Sequence, residues 1–83
     1  GDGELVKADL FHVDGDHSIQ GTYHDLILAR DQLADGGVIL LDDIDTKECP
    51  GVKAAMLLFL GDNPEYTWDH FPSYRGLAAI YKA

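Results

Sequence analysis

Leu33-Ala34-Asp35-Gly36-Gly37-Val38-Ile39-Leu40-Leu41-Asp42-Asp43 is the stretch whose reading decides the fold. It closes an amphipathic segment, turns on Asp35-Gly36-Gly37, and runs four aliphatic residues straight into two acids. Upstream, residues 18–34 place Tyr23, Leu26, Ile27, Arg30 and Leu33 near the spacing of one helix face. Ser18 is the N-cap expected there, and a glycine of the Asp35-Gly36-Gly37 turn ends the helix in a left-handed conformation. The aliphatic run 38–41 has the length and β-branched content of a strand. Further upstream, Ala8–Val13 is a short, mostly apolar strand, expected to be buried on both faces, that ends abruptly in Asp14-Gly15-Asp16.

Downstream, a polar loop over 44–49 leads to Pro50, a residue suited to the first helical position. Val52, Ala55, Met56, Phe59 and Leu60 form the apolar stripe of that helix, and Gly61 ends it. Residues 66–71 and 77–81 are two more short strands, joined by Pro72-Ser73-Tyr74-Arg75-Gly76, a connection short enough for a hairpin. The order is strand, helix, strand, helix, strand, strand. Alternation of strands with helices implies crossover connections and parallel pairing, whereas the last two strands should be antiparallel. The fold class is α/β, and residues 1–83 are read as a single domain.

The composition agrees. Eighty-three residues leave room for one domain. Such a chain buries only about 60–65% of the surface its unfolded form exposes, so its core is small. Fifteen acidic residues against six Lys and Arg give a net charge of −9, which argues against a nucleic-acid partner and against an anionic membrane surface. No apolar run approaches the roughly 20 residues that span a bilayer. Cys49 is the single cysteine, which rules out an internal disulfide and suits a reducing, cytoplasmic location. The chain opens on Gly1-Asp2-Gly3 and its one Met is Met56, so we expect a processed N-terminus or a piece of something longer.

Ligands of open α/β sheets bind beyond the carboxyl ends of the parallel strands. Here both such ends are acidic: Asp14-Gly15-Asp16-His17 on the first strand and Asp42-Asp43 on the second. A hard divalent cation is the usual compensation for carboxylates gathered on one rim. Asp-Gly and Asp-Asp pairs are also ordinary loop residues, because Asp tolerates tight turns. His12 is read as a packed core or sheet residue, His24 as solvated, and Trp68 as core. His70 sits beside Trp68 on a late strand. Cys49 precedes a helix start without an adjacent His, which argues against thiol catalysis.

Val13-Asp14-Gly15-Asp16-His17-Ser18, the stretch 33–43 and Gly51-Val52-Lys53-Ala54-Ala55 together resemble the class I S-adenosylmethionine-dependent methyltransferases. The nearest pattern is the small-molecule and sugar O-methyltransferase branch with Asp-Gly-x-His-Ser at a strand end. The resemblance covers about residues 5 to 83. It implies half of a Rossmann-like methyltransferase sheet: strands four and five of a seven-stranded sheet, then the terminal antiparallel pair. The glycine-rich loop that cradles the methionine part of the cofactor, and the acid that holds its ribose, have no counterpart in this sequence. By resemblance, Asp14, Gly15 and His17 would lie at the cofactor, with His17 as the general base, and Asp14, Asp42 and Asp43 would hold Mg²⁺. The metal would lower the pKa of the acceptor hydroxyl, and the imidazole would take its proton.

Two functions from different classes follow. One is methyl transfer to a hydroxyl of a small-molecule acceptor, with S-adenosylmethionine as cofactor. The alternative is an inactive half-domain that acts as an interaction or assembly module. A metal-dependent phosphoryl-transfer site is a third and weaker reading, because the Lys, Thr and Asp-x-Asp arrangement of such sites is lacking. A homo-oligomer is expected through Ala8–Val13, whose edge would otherwise stay unpaired.

Overall fold

The fold was obtained as a computed structural model that describes residues 8–13, 18–72 and 75–83. Its elements are β1 (Ala8–Val13), α1 (Ile19–Gln32), β2 (Leu33–Asp42), α2 (Pro50–Asp62), β3 (Tyr66–Phe71) and β4 (Leu77–Lys82). The expected α/β order is therefore what the chain adopts. The strands form one mixed sheet in the order β1-β2-β4-β3. β1 and β2 are parallel, and β4 is antiparallel to both β2 and β3. Inserting β4 between β2 and β3 makes β3 parallel to β2, so α1 and α2 are both crossover helices. Right-handed crossovers that advance in one direction put both helices on the same face of the sheet. The two helices do pack against each other.

Several boundaries differ from the sequence reading; among them, α2 runs through Gly61, the residue expected to end it, to Asp62. Ser18 caps α1 as expected, its Oγ accepting from the Gly21 N–H at 2.9 Å. The helix nevertheless ends at Gln32, and Leu33 is already extended. Asp35-Gly36-Gly37 therefore does not stop the helix. The β1–β2 register runs from Ala8↔Leu33 to Leu10↔Val38, so β2 spends five residues where β1 spends two. Gly36, at φ +79°, absorbs that excess inside the strand. The buried face of α1 is Thr22, Leu26 and Ala29, with Tyr23 and Ile27 at its margin. That places the face one position away from the expected stripe. The α2 stripe is as expected at Val52, Ala55, Met56 and Phe59, and Trp68 packs against the core.

The core is one-sided. Val13, Ile39, Leu41, Ala78 and Ile80 point from the sheet toward the helices and are buried together with Leu26, Met56 and Phe59. Their neighbours in each strand point the other way and, Ala79 apart, stay partly open; Leu10 is 59% exposed and Phe71 48%. The expectation that β1 is buried on both faces is thus corrected: among the described residues, only one face of the sheet is covered.

Polar contacts lock α1 onto the end of α2. The Tyr23 hydroxyl donates to Asp62 at 2.6 Å, and Arg30 donates to the Asn63 Oδ1 at 2.9 Å. The Tyr81 hydroxyl donates to Asp69. A carboxylate that accepts from the neutral phenol holds both tyrosines above the usual pKa of 10.0. Each contact is intact below about pH 10 and is lost as the phenol ionises at higher pH.

Thr22 is fully buried, yet its Oγ1 has no hydrogen-bond partner among the described residues. An unsatisfied buried hydroxyl costs about 1–3 kcal/mol. Thr22→Val removes it at nearly the same shape. Urea unfolding should show a gain of about 1 kcal/mol, and a loss would mean that the hydroxyl has a partner in solution.

Candidate functional site

The carboxyl ends of β1 and β2 are flush, because the register pairs Val13 with Leu41. Asp14, Gly15, Asp16 and His17 continue from the first of these ends and lie outside the described residues. From the second end continue Asp42 and Asp43, then the loop 44–49. The antiparallel pairing Asp42↔Leu77 brings the start of β4, and with it Arg75 and Gly76, to the same rim.

Asp42 and Asp43 point to different partners. Successive strand residues face opposite sides of a sheet, and Asp42 turns to the open side. There its Oδ2 accepts from the His12 Nε2 at 2.5 Å. His12 is thus an exposed sheet residue, not a packed one. Asp43 leaves the strand with φ +67°, a left-handed conformation that Asp adopts more readily than most residues. Its Oδ1 lies 2.9 Å from the Arg75 Nε, and its N–H donates to the Gly76 carbonyl at 3.0 Å. The Ile44 N–H donates to the same carbonyl, and the Asp45 N–H donates to the Arg75 carbonyl. The Asp45 side chain accepts from the His70 Nε2 at 2.7 Å. A turn from the far end of the sequence thereby braces the acidic strand end.

Beside it, Asp45, Thr46, Lys47, Glu48 and Arg75 line a cleft of about 480 Å³. The Thr46 Oγ1 is buried and has no hydrogen-bond partner among the described residues. Cys49 is the N-cap residue of α2, but its side chain makes no capping hydrogen bond. His24 is exposed, as expected.

The sequence reading named Asp42 and Asp43 but not the residues that hold them. Arg75 and Gly76 were read only as hairpin residues, and Asp45 and His70 were given no role at the rim. The signal available was one Arg-Gly pair just before the last strand of an acidic chain. It becomes informative once β4 is known to lie beside β2.

Two ligand chemistries can be tested against this rim. Among the described residues, no group of three or more His, Cys, Asp or Glu could hold a metal ion, and Asp42 and Asp43 each have a protein partner. The described residues alone therefore do not fit Mg²⁺. A cationic organic ligand fits better: Asp42, Asp43, Asp45 and Glu48 outnumber Lys47 and Arg75 on the rim, and excess negative charge attracts a positive centre.

A family model described as a methyltransferase domain matches residues 3–44, 42 of the 83 residues. That span contains β1, α1 and β2 and ends just past Asp43. No curated protein matches the chain.

Proposed function

The chain belongs to the methyltransferase domain family, and from that premise we propose that it supplies the C-terminal half of an S-adenosylmethionine-dependent O-methyltransferase for a small-molecule hydroxyl. Residues 1–83 are then one partial domain. The four-stranded mixed sheet with two crossover helices agrees with half of a Rossmann-like methyltransferase sheet. The observation that carries the reading is the flush pairing of Val13 with Leu41. It starts the Asp14-Gly15-Asp16-His17 segment and the Asp42-Asp43 segment from neighbouring points on one rim, where open α/β sheets bind ligands.

When bound, S-adenosylmethionine supplies an electrophilic methyl group on a positive sulfonium. The proposed work of this chain is to bind, orient and remove a proton. Asp14, Gly15 and His17 are assigned to the cofactor side, and His17 is the base that takes the acceptor hydroxyl's proton. The cleft lined by Asp45, Thr46, Lys47, Glu48 and Arg75 holds the acceptor. Positioning is the main requirement of a direct displacement. A cation at Asp14, Asp42 and Asp43 would require His12 and Arg75 to release their carboxylates. We assign the protein to the cytoplasm, on its solitary cysteine, and expect no nucleic-acid partner for so acidic a chain.

A second reading, the assembly module, is favoured by a different observation: β1 has a ladder partner on one side only among the described residues. Calorimetric titration of the 83-residue chain with S-adenosylmethionine separates the two. Micromolar binding that is lost in Gly15→Val and weakened in His17→Ala supports the methyltransferase half. No heat from wild type at concentrations of roughly 100 times a micromolar dissociation constant supports the assembly module.

A further inference from the structure

We propose that His70 is a positioning residue: acting through Asp45, it latches the loop 44–49 to β3 and so fixes the wall of the cleft assigned above to the acceptor. The use of the cleft rests on that assignment, whereas the latch rests on geometry alone. Four of the five residues that line the cleft, Asp45, Thr46, Lys47 and Glu48, belong to this one loop. The start of the loop is tied to the β3–β4 turn through the main chain. The Asp43 and Ile44 N–H groups donate to the Gly76 carbonyl, and the Asp45 N–H donates to the Arg75 carbonyl. Beyond Asp45 the main-chain bonds are local: Thr46 N–H to the Asp43 carbonyl at 3.5 Å, and Cys49 N–H to the Thr46 carbonyl at 3.2 Å. The Asp45 side chain is therefore the last tie to the sheet before the residues that wall the cleft.

The latch spans a strand. β4 lies between β2 and β3, so a residue just past β2 that reaches β3 crosses two strand spacings, about 10 Å. Asp45 makes that crossing where β4 is smallest. A Cβ on Gly76 would run into the Asp45 carboxylate, and the residue paired with His70 is Ala78, whose side chain ends at its Cβ. The carboxylate then accepts from the His70 Nε2 at 2.7 Å. The Nε2–H tautomer and the imidazolium can both donate this bond. The His70 ring is held beside the Trp68 ring, with centroids 5.8 Å apart, which leaves Nε2 to the loop. The two side chains are 42% and 36% exposed. A polar pair so open to water adds little to overall stability, so its effect falls on the position of the loop. Without the donor, the Asp45 carboxylate turns toward Lys47 and Arg75, the two cations of the cleft, and competes there with an acceptor.

Amide hydrogen exchange of the 83-residue chain, read residue by residue by NMR at a single pH, tests this with two variants. His70→Phe keeps a ring beside Trp68 and removes the donor. His70→Gln removes the ring and keeps an N–H donor of similar reach. His70→Phe should speed exchange of the Thr46 and Cys49 amides by roughly 10-fold, the scale of a hydrogen bond to a charged group. The amides of Ile39, Leu40 and Leu41 in the sheet should keep their wild-type rates, and His70→Gln should restore most of the protection at Thr46 and Cys49. Three results overturn the proposal. Unchanged exchange in His70→Phe means that the loop holds its place without the latch. Exchange as fast in His70→Gln as in His70→Phe means that ring packing, not the donor, sets the loop. Equal acceleration in the loop and in the sheet means a loss of overall stability. The measurement contains no S-adenosylmethionine, so its outcome is independent of the titration that tests the proposed function.

Discussion

Phe59→Ala should remove most of the stability of this chain. Phe59 is fully buried and is the largest such side chain among the described residues. It meets Tyr66 edge-on, with ring centroids 5.5 Å apart, and so ties α2 to β3. Truncating a buried Phe to Ala costs about 3–5 kcal/mol, from lost transfer energy and from the cavity that remains. A domain of this length has about 4–12 kcal/mol in total. Its core is a single cluster on one side of the sheet, with no second layer to collapse into the hole. Urea unfolding followed by far-UV circular dichroism should show the midpoint falling to a small fraction of the wild-type value, or an unfolded chain in buffer. Leu57→Ala, two residues away on the exposed side of the same helix, should change stability by no more than about 0.5 kcal/mol. A loss below about 1.5 kcal/mol for Phe59→Ala would mean that the cluster rearranges freely, contrary to a single packed core.

Gly76→Ala is expected to be the second most damaging change, and it acts on the candidate site directly. Gly76 has φ +83°, and a Cβ placed on it would run into the Asp45 side chain, including the Asp45 Cβ at 2.8 Å. A left-handed non-glycine residue alone costs about 1–2 kcal/mol. Displacing Asp45 also disturbs its contact with His70 and strains the pair of N–H bonds that Asp43 and Ile44 make to the Gly76 carbonyl. We expect a total near 2–3 kcal/mol, seen as a fall in Tm of roughly 10–20 °C. In an Asp45→Ala background the cost of Gly76→Ala should shrink without vanishing, since the clash with the carboxylate is gone but the contact with the residue-45 Cβ and the backbone cost remain. Unchanged stability for the single variant would show that the β3–β4 turn does not hold the strand end in the way the hydrogen bonds indicate.

These two sites also show what was legible in the sequence. The stripe that ends in Phe59 followed from helical spacing, because a helix that buries one face must repeat its apolar residues near every 3.6 positions. The Ser18 cap and the Pro50 helix start were equally local, since each depends on one residue and the backbone beside it. A glycine of the Asp35-Gly36-Gly37 turn was expected in a left-handed conformation, which Gly36 has, but it was given the wrong role. A left-handed glycine serves a helix C-cap and a strand irregularity equally well, and only pairing with β1 distinguishes them. His12 was placed on the strand but its exposure was not foreseen, because an apolar run does not state which of its two faces is covered.

The sequence by itself determined the order of the elements, the α/β class, the antiparallel end and the acidic strand ends, since each rests on periodicity, turn chemistry or composition within a few residues. Only the tertiary structure decided that β4 lies between β2 and β3, that Arg75, Gly76 and His70 brace Asp43 and Asp45, that Asp42 binds His12, and that one face of the sheet is left uncovered by the described residues. The pairing of β2 with β4 and the contacts at the rim span 25 to 41 residues, between groups whose own neighbourhoods carry no trace of the partner. Their geometry exists only once the strands have paired.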